Sequence, residues 1–519
     1  MVRNLLKSLL KPTAYPEPTA NVRLIETHVS FLFISDHHVY KVKKPVDFGF
    51  LNFTSLDRRR FYCEEEVRLN RRLCPDIYLG VVELRETPEG GSFAAGGKVI
   101  DYAVKMKRLP EERMLSHLLK QGEVGAEQMT LLGKSIADFH HRAARGPEID
   151  ACGSIETINS IWEENFNQAA PFQEETLSGA DLALMRDWVQ RFLLDHAELF
   201  RARVEGGFIR ECDGDLHLGN ICLTEPLCIF DCIEFNERFR YIDTAADIAF
   251  LLMDLEYAGR PDLSTPFLEA YQKATGDPGL TALLNFYKGY RAFIRGKVTS
   301  FRLRETGIPA GQREEAKISA LRYFRLARGY ALRERLVPSL IITCGLMGSG
   351  KSTLARQLSF ELGLCLERSD LVRKKLAGLP AGAKAGAGYD QDIYRAKSNE
   401  ATYRALLQAA RQALTAGTSI IVDATFRRQS DRAAFRNLAQ QLGVPFFVLE
   451  SHCPEELIRE RLEKRALDPA EPSDATWELF PQQKAEFEPP APGESIRVDC
   501  SLALLKAADL ALKGMGLLP

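Results

Sequence analysis

The pattern of apolar and polar positions divides the chain into two regions of different character. In the first region, β-branched and aromatic runs predict strands, and apolar positions with helical spacing predict helices. Strands or short apolar runs are predicted at residues 22–34, 38–44, 99–109 and 208–236, with a Gly-rich turn at 90–97, and helices at 55–73, 114–203, 280–298 and 313–336. The first region is therefore predicted to begin with strands and to continue mainly as helices.

The second region begins where Val337-Pro338 ends the last of these helical patterns. A buried-type strand, a Gly-rich loop and an amphipathic helix follow at once (SLIITCGLMGSGKSTLARQL), and further short apolar strands alternate with helices. This alternation predicts an α/β domain with a parallel sheet. We place the boundary at residue 336, which gives domains 1–336 and 337–519. Residues 380–388 (PAGAKAGAG) are predicted to form a flexible loop.

Composition limits the classes to which the protein can belong. A chain of 519 residues, at roughly 100–200 residues per domain, is expected to have two or three domains. Hydrophobic residues make up 45%, without a run as long as a membrane span or a signal peptide, so we expect a cytoplasmic protein with no membrane partner. The net charge of −2 does not favour binding to nucleic acid by bulk charge. Eleven cysteines without CxxC pairs are expected to be reduced thiols.

The strongest chemical signal is GLMGSGKS, which starts at Gly345 and matches G-x-x-x-x-G-K-[ST] between a strand and a helix. Glycines allow consecutive backbone N–H groups to point at a phosphate, and the helix N-terminus adds positive potential. Lys351 is expected to reach the β- and γ-phosphates and Ser352 to bind Mg²⁺. The sequence thus predicts ATP and Mg²⁺ as cofactors. The residues expected to bind the nucleotide here are Gly345, Gly348, Ser349, Gly350, Lys351, Ser352 and Thr353.

Carboxylates and arginines downstream of this loop complete a candidate transfer site. Asp423 ends an apolar strand (SIIVD) and is the expected second Mg²⁺ ligand. Asp370 and Arg373 share a helix face after another strand, where a carboxylate can accept a hydroxyl proton and an arginine can hold an anionic acceptor. Arg461 and Arg465 lie four residues apart, and the pattern fits a lid over the phosphoryl group and a solvated helix equally well.

Residues from about 340 to 489 resemble the small P-loop kinases of the polynucleotide, chloramphenicol and gluconate kinase group. GLMGSGKST, SDLVR, VDATF and RLEKR occur in the order found in that group. The resemblance implies phosphoryl transfer from ATP to a hydroxyl group, with Asp370 as the base, Arg373 as an acceptor contact and Arg465 as a lid arginine. Acceptors in the group range from small sugars to 5′-hydroxyl ends of nucleic acids.

A second candidate site lies in the first region. Asp215 and Asn220 are five residues apart in CDGDLHLGN, and Asp231 follows the next apolar strand. Kinase catalytic loops have a base and a metal-binding Asn at this separation, so Asp215 is the predicted base, with Asn220 and Asp231 as metal ligands. Upstream, Lys41 is expected to bind the α- and β-phosphates, with Lys43 as the alternative.

A glutamate in the helix at 55–73 is expected to orient this lysine. Glu64, Glu65 and Glu66 are all candidates, and Glu66 is preferred because it precedes the apolar pattern VRLNRRL. Zinc binding is a competing hypothesis for the region around Asp215, but the spacings fit no common zinc pattern. The residues concerned are Cys212, His217, Cys222, Cys228 and Cys232. His140-His141 is expected to be structural, since adjacent residues do not share a helix face.

Residues from about 20 to 330 resemble the aminoglycoside phosphotransferase-like kinases, on the basis of VYKVKK, IADFHH, GDLHLGN and IFDCIEF. The resemblance implies a bilobal protein-kinase-like domain with α+β structure. Two features depart from the family pattern: Asp213 occupies a position where the family commonly has His, and no G-x-G-x-x-G precedes Lys41.

Taken together, these patterns predict two ATP-dependent kinase domains that phosphorylate a hydroxyl of a small molecule. The alternative is a 5′-hydroxyl nucleic-acid kinase, guided by the Arg-rich stretch 291–335, with a non-catalytic or regulatory N-terminal domain. No oligomeric state is predicted.

Overall fold

The computed structural model describes residues 2–49, 51–94, 96–305, 307–380, 396–467 and 476–519. The chain divides into two compact units, Met1–Phe324 and Arg325–Pro519. The division lies within the helix Ala310–Arg333 rather than at residue 336, and the end of this helix is held by contacts inside the second unit. Except for Pro380, the predicted loop 380–388 lies outside the described residues.

The first unit begins with a helix and a six-stranded antiparallel sheet in the order β1-β2-β3-β6-β4-β5. Its elements are α1 (Val2–Leu9), β1 (Arg23–Glu26), β2 (Ser30–Ile34), β3 (His38–Lys43), α2 (Leu56–Asn70), β4 (Tyr78–Thr87), β5 (Gly90–Ser92) and β6 (Val99–Lys107). The apolar run predicted at 22–34 forms two strands rather than one. A tight turn separates them, in which Thr27 N donates to Ser30 O over 2.9 Å.

Helix α2 places its glutamates relative to this sheet. Ser55 caps the helix, because its hydroxyl accepts a hydrogen bond from Arg58 N at 3.2 Å. Cys63, Glu66 and Val67 are buried on one face, so a single carboxylate of the Glu-rich segment points into the interior. The sequence prediction of a capped helix at 55–73 is confirmed.

Helices and short strands form the rest of the first unit. They are α3 (Leu115–Gln121), α4 (Ala126–Arg142), α5 (Pro147–Ala151), α6 (Ile155–Ala169), α7 (Gly179–Asp195), α8 (Ala197–Glu205), β7 (Ile209–Glu211), β8 (Ile221–Cys222), β9 (Cys228–Ile229), β10 (Tyr241–Asp243), α9 (Thr244–Tyr257), α10 (Ser264–Thr275), α11 (Leu280–Phe301) and α12 (Ala310–Arg333). Helix α9 is buried from Thr244 to Leu255 and so forms the centre of this part.

One expectation about the cysteines is wrong. Cys74, just after α2, forms a disulfide with Cys228 of β9, although all eleven cysteines were expected to be reduced. The two residues are 154 positions apart, and folding brings them into one apolar cluster with Cys63 and Cys222. Sequence spacing does not indicate such a pairing.

The second unit contains a five-stranded parallel sheet in the order β12-β13-β11-β14-β15. Its elements are β11 (Leu340–Cys344), α13 (Lys351–Leu362), β12 (Cys365–Arg368), α14 (Ser369–Leu376), α15 (Ala396–Thr415), β13 (Ile420–Asp423), α16 (Gln429–Leu442), β14 (Phe446–His452), α17 (Glu455–Ala466), α18 (Phe480–Ala485), β15 (Ile496–Asp499) and α19 (Leu504–Gly514). β11 and β13 are buried throughout, as expected for central parallel strands. The predicted parallel sheet is confirmed.

Several arginines of the stretch 291–335 are bound within the fold. Arg291 donates to the backbone oxygens of Gly214 and Ala246. Arg328 is 1% exposed and binds Glu361 and Asp509.

Among the described residues, no helix is both long enough and apolar enough to span a lipid bilayer.

Candidate functional site

The Gly-rich loop of the second unit connects β11 to α13 in a conformation that requires glycine. Gly345 has a φ of +134°, and a Cβ there would lie 2.5 Å from the backbone oxygen of Ser451. Gly350 has a φ of +100° and begins α13, with the Cys500 side chain close against it. The first N–H groups of α13 are consequently exposed to any anion in the loop.

Two polar groups inside this loop fit a phosphate. Lys351 Nζ donates to Leu346 O at 2.6 Å across the loop. Burial lowers the pKa of Lys351, and a phosphate would restore favourable surroundings for its charge. The hydroxyl of Ser349 is buried and has no hydrogen-bond partner among the described residues. Ser352 and Thr353 follow in the first turn of α13.

The predicted metal ligand Asp423 ends β13, next to β11 in the sheet. Its Oδ1 accepts a hydrogen bond from the Thr343 hydroxyl at 3.0 Å. Its Oδ2 lies 3.6 Å from Arg368 Nε, and Arg368 is its partner in the β12–β13 register. Sequence reasoning missed Arg368, although it stands immediately before the SDLVR motif.

Asp370 and Arg373 meet on the first turns of α14. Arg373 Nη1 lies 3.2 Å from Asp370 Oδ1, and Nη2 donates to Asn399 Oδ1 at 3.1 Å. Burial raises the pKa of Asp370 above the ordinary value, although Arg373 opposes the shift. A carboxylate with a raised pKa is a stronger base, which suits removal of a hydroxyl proton.

A cavity of about 540 Å³ opens beside the loop. Gly350 and Thr353 line it on one side, with Arg461 and Arg465 from α17 on another, and Leu502 and Leu504 add an apolar wall. Arg461 is anchored by a 2.7 Å hydrogen bond to Cys500 O. The two arginines therefore lie beside the phosphate loop and do not form a purely solvated face.

In the first unit, one buried carboxylate is shared by two lysines. Lys41 Nζ lies 2.8 Å from Glu66 Oε1 and 2.6 Å from Asp231 Oδ1. Lys43 Nζ lies 2.6 Å from Glu66 Oε2 and also binds Glu234. Burial opposes ionisation of Glu66, but the two ammonium groups outweigh it and lower its pKa.

This arrangement identifies the glutamate among the three candidates, but it does not distinguish Lys41 from Lys43. Glu64 binds Arg60 and Glu65 binds Arg68, both near the surface, so Glu66 is the glutamate next to Lys41. The alternative Lys43 contacts the same carboxylate. Glu234 was missed, although it stands three residues after Asp231 in IFDCIEF.

The loop that carries Asp215 brings it against Asn220. Asn220 Nδ2 donates to Asp215 Oδ2 at 3.0 Å, and His217 Nε2 lies 3.5 Å from the same oxygen. Burial opposes the charge of Asp215, but the His217 contact and nearby arginines lower its pKa. Asp231 has a φ of +66°, unusual for a residue with a side chain, and its N–H donates to the Tyr78 hydroxyl at 3.1 Å.

Asp247 of α9 binds the backbone of this loop. Sequence reasoning missed this residue. Its carboxylate accepts hydrogen bonds from Gly214 N at 2.8 Å and Asp213 N at 3.2 Å. His140 Nε2 lies 3.0 Å from Asp247 Oδ2, and His140 Nδ1 lies 2.8 Å from the Tyr271 hydroxyl. His140 is thus structural, as expected. The available sequence signal was an Asp within the apolar run TAADIAFLLMD. In the structure this Asp is fully buried.

The competing hypothesis of a zinc site at Cys212, His217, Cys222, Cys228 and Cys232 finds no support among the described residues. Cys228 is in a disulfide, and His217 lies beside Asp215. Within the described part of the chain, the metal-compatible group is His140, Cys212 and Asp247. Because both ring nitrogens of His140 already have partners, this group is a hydrogen-bonded core cluster.

Comparison with known proteins identifies relatives of the whole chain. Residues 340–490 match the sequence model of the family described as AAA domain, which confirms the predicted P-loop domain. The uncharacterized protein Rv2004c of Mycobacterium tuberculosis is 30% identical over 465 residues, 89% of this chain and 89% of that protein. Mb2027c of Mycobacterium bovis matches with the same values. The chain belongs to this mycobacterial protein family. The family match extends over both units, since neither unit contains 465 residues.

Solved structures also resemble part of the chain. A gluconokinase from Sinorhizobium meliloti 1021 is 22% identical, covers 34% of this chain and 92% of its own, and has a TM-score of 0.25. The Mycobacterium tuberculosis APS kinase CysC, in complex with AMPPNP and APS, is 18% identical with a TM-score of 0.26, covering 35% of this chain and 98% of its own. No residue role is transferred from these structures.

Proposed function

We propose that the protein is an ATP-dependent phosphotransferase whose second unit moves the γ-phosphoryl group of ATP to a hydroxyl of a small molecule. The observation that carries this proposal is the phosphate loop itself, with buried Lys351 and the unpartnered Ser349 hydroxyl inside it. Asp423 ends β13, the neighbour of β11, and Asp370 follows β12, the next strand in the sheet. Binding groups and base therefore converge on one edge of the sheet.

The proposed roles follow from this geometry. The N–H groups of α13 and Lys351 hold the phosphates, while Ser352 and Asp423 would hold Mg²⁺, which supplies charge neutralisation when bound. Asp370 accepts the proton of the attacking hydroxyl, and Arg373 orients the acceptor. A bond forms between the acceptor oxygen and the γ-phosphorus, the bond from this phosphorus to the β–γ bridging oxygen breaks, and ADP leaves. Arg465 would stabilise charge on the phosphoryl group.

We infer a second site of the same chemistry in the first unit. The Lys41–Glu66 ion pair, with Asp231 on the same lysine, is the observation that favours it. Lys41 would hold the α- and β-phosphates, Asn220 and Asp231 would hold Mg²⁺, and Asp215 would accept the hydroxyl proton. In place of a Gly-rich loop, this unit has the tight β1–β2 turn at Thr27 to Ser30.

Label transfer from [γ-³²P]ATP with Mg²⁺ to a panel of sugars, aminoglycosides and oligonucleotides tests both sites. Lys351→Ala is expected to abolish transfer by the second unit and Asp215→Asn transfer by the first. Lys506→Ala, an exposed lysine of α19, is the matched control and should leave both intact. Unchanged transfer and ATP turnover in the Lys351→Ala/Asp215→Asn double variant would show that both assignments are wrong.

The same panel distinguishes the alternative in which the second unit phosphorylates 5′-hydroxyl ends of nucleic acids and the first unit does not catalyse transfer. That alternative requires label on oligonucleotides alone, with Asp215→Asn as active as the unchanged protein. The arginine stretch 291–335 was proposed to guide the nucleic acid. Arg291 and Arg328 of this stretch bind groups inside the fold and so do not contribute to an exposed basic surface.

A further inference from the structure

Arg295, in the middle of α11, is a partly buried cation that forms no ion pair with a carboxylate of the described residues. In the part of the chain that the structure describes, its hydrogen bond is a long one, 3.4 Å from Nη2 to the Tyr323 hydroxyl, and its Nε is buried without a partner. Buried arginines elsewhere in this unit are paired: Arg59 binds Asp101, and Arg203 binds Asp243. An arginine left with unused donors has a high affinity for an anion.

The surroundings of Arg295 place it near the loop that carries Asp215. Its guanidinium lies 5.9 Å from the Phe250 ring and 5.4 Å from the Tyr323 ring. Phe250 also contacts His217, at 5.2 Å between ring centroids, and His217 is the neighbour of Asp215. The aromatic rings restrict the guanidinium to one region beside the predicted base.

Electrostatics link the same groups. The charge of Arg295 helps lower the pKa of Asp215, against the effect of burial. Asp254, the other acidic group near Arg295, forms no hydrogen bond with it among the described residues, and its Oδ2 accepts a hydrogen bond from Leu218 N at 3.1 Å. Arg291, one turn earlier on α11, is occupied by two backbone oxygens. Among the described residues, Arg295 is thus the cation of this group that has one long hydrogen bond and a buried Nε without a partner.

We propose that Arg295 binds the acceptor of the first unit, and that this acceptor is a hydroxyl compound carrying a carboxylate or phosphate group. The proposal rests on the phosphotransfer function proposed for Asp215. The anionic group bound to Arg295 directs the hydroxyl toward Asp215, which accepts its proton. The hydroxyl oxygen then forms a bond to the γ-phosphorus of ATP, the bond from phosphorus to the bridging oxygen breaks, and ADP leaves.

The charge of Arg295 determines which class of acceptor it favours. A polycationic acceptor would meet Arg295 at close range, where burial strengthens repulsion. A neutral sugar would leave the guanidinium unpaired. An anionic alcohol supplies the missing partner, and charge-assisted hydrogen bonds to an arginine fork are both strong and directional.

The test uses the full chain with Lys351→Ala, so that the second unit does not contribute to the measured transfer. The acceptors are ribose, ribose 5-phosphate, gluconate and glucosamine, which separate neutral, phosphate-bearing, carboxylate-bearing and cationic compounds. We expect label transfer to ribose 5-phosphate or gluconate with a lower KM than to ribose. Arg295→Gln should raise the KM for the anionic acceptor about tenfold or more, with a smaller change in kcat.

Two further variants sharpen the result. Arg295→Lys keeps the charge and should recover part of the preference for anions. Arg201→Gln removes an exposed arginine of α8 and should change nothing. An equal loss for ribose and ribose 5-phosphate in Arg295→Gln, or a preference for glucosamine, would overturn the proposal.

The outcomes also separate this proposal from the function on which it rests. Transfer unaffected by Asp215→Asn contradicts the phosphotransfer site. Transfer that requires Asp215 but not Arg295 contradicts only the acceptor assignment. Calorimetric titration of ribose 5-phosphate and gluconate into the protein with Mg²⁺ and ADP reads binding without turnover. Binding lost in Arg295→Gln supports the proposal, and no binding of either anion overturns it.

Discussion

Asp213 and Asp215 are two residues apart in one loop and have opposite preferences for a proton. Burial, reinforced by the charges of Asp247 and Asp215, raises the pKa of Asp213 well above the ordinary value. His217 and the arginines of α11 lower that of Asp215 despite burial. The surroundings therefore shift the pKa values of two neighbouring carboxyl groups in opposite directions, although the residue type is the same.

The raised pKa of Asp213 predicts a pH dependence of stability. Because its pKa is higher in the folded state, the folded state binds more protons, and stability falls as pH rises from the ordinary Asp value toward the raised one. Asp213→Asn removes this dependence. In urea unfolding, we expect the free energy of unfolding of the variant, relative to that of the unchanged protein, to increase by about 1.4 kcal/mol per pH unit within that window.

The matched control for this series is Asp195→Asn, at an exposed position of α7. It should follow the pH profile of the unchanged protein. A parallel pH profile for Asp213→Asn would contradict a protonated Asp213.

Lys43 allows a second test at the residue scale. It is about 1% exposed and connects Glu66 to Glu234. Lys43→Met leaves Glu234 buried without its cation, which should reduce the free energy of unfolding by about 3–5 kcal/mol. Lys43→Met/Glu234→Leu removes both charges and should recover most of the loss. Urea denaturation measures both, and additive losses in the double variant would show that the two residues do not act as a pair.

At the scale of elements, the turn from β11 to α13 depends on the conformation of Gly345. Alanine there would need a left-handed backbone and would clash with Ser451 O of β14. We expect Gly345→Ala to weaken binding of Mg²⁺·ADP, measured by calorimetry, by at least about tenfold, which corresponds to about 1.4 kcal/mol. Gly443→Ala, at a φ of +65° with nothing within 4 Å of the added carbon, is the control for backbone strain alone. Equal effects of both substitutions on binding would contradict this account.

Elements whose signals are local could be predicted from the sequence. The cap at Ser55 fixes the start of α2, and the continuous apolar residues before Gly345 predict β11, the loop and α13 together. The turn at Thr27 to Ser30 was missed because it contains neither Gly nor Pro, and its hydrogen bond forms only within the paired strands. Arg368, Asp247 and the Cys74–Cys228 disulfide depend on contacts between distant segments, which periodicity does not encode.

At the scale of the whole molecule, basic and acidic residues nearly balance, and some of the arginines are bound inside the units. The net charge is −2, with 68 basic and 70 acidic residues. In the arginine-rich stretch, Arg291 and Arg328 bind groups inside their own units. A protein that gathers such residues into its interior has fewer of them for phosphate backbones, whose binding relies on many exposed cations. This organisation favours small acceptors over long nucleic acids.

If each unit binds phosphate through its proposed lysine, Lys351 or Lys41, the chain should bind two nucleotide equivalents. Titration of the full-length protein with Mg²⁺ and a non-hydrolysable ATP analogue should show a stoichiometry near two. Lys351→Ala should remove the equivalent bound by main-chain N–H groups at α13, and Lys41→Met the equivalent bound beside Glu66. Since the two lysines lie in different units, the losses should be independent and the double variant should bind none. A stoichiometry of one that disappears with Lys351→Ala alone would assign nucleotide binding to the second unit and leave the first without it.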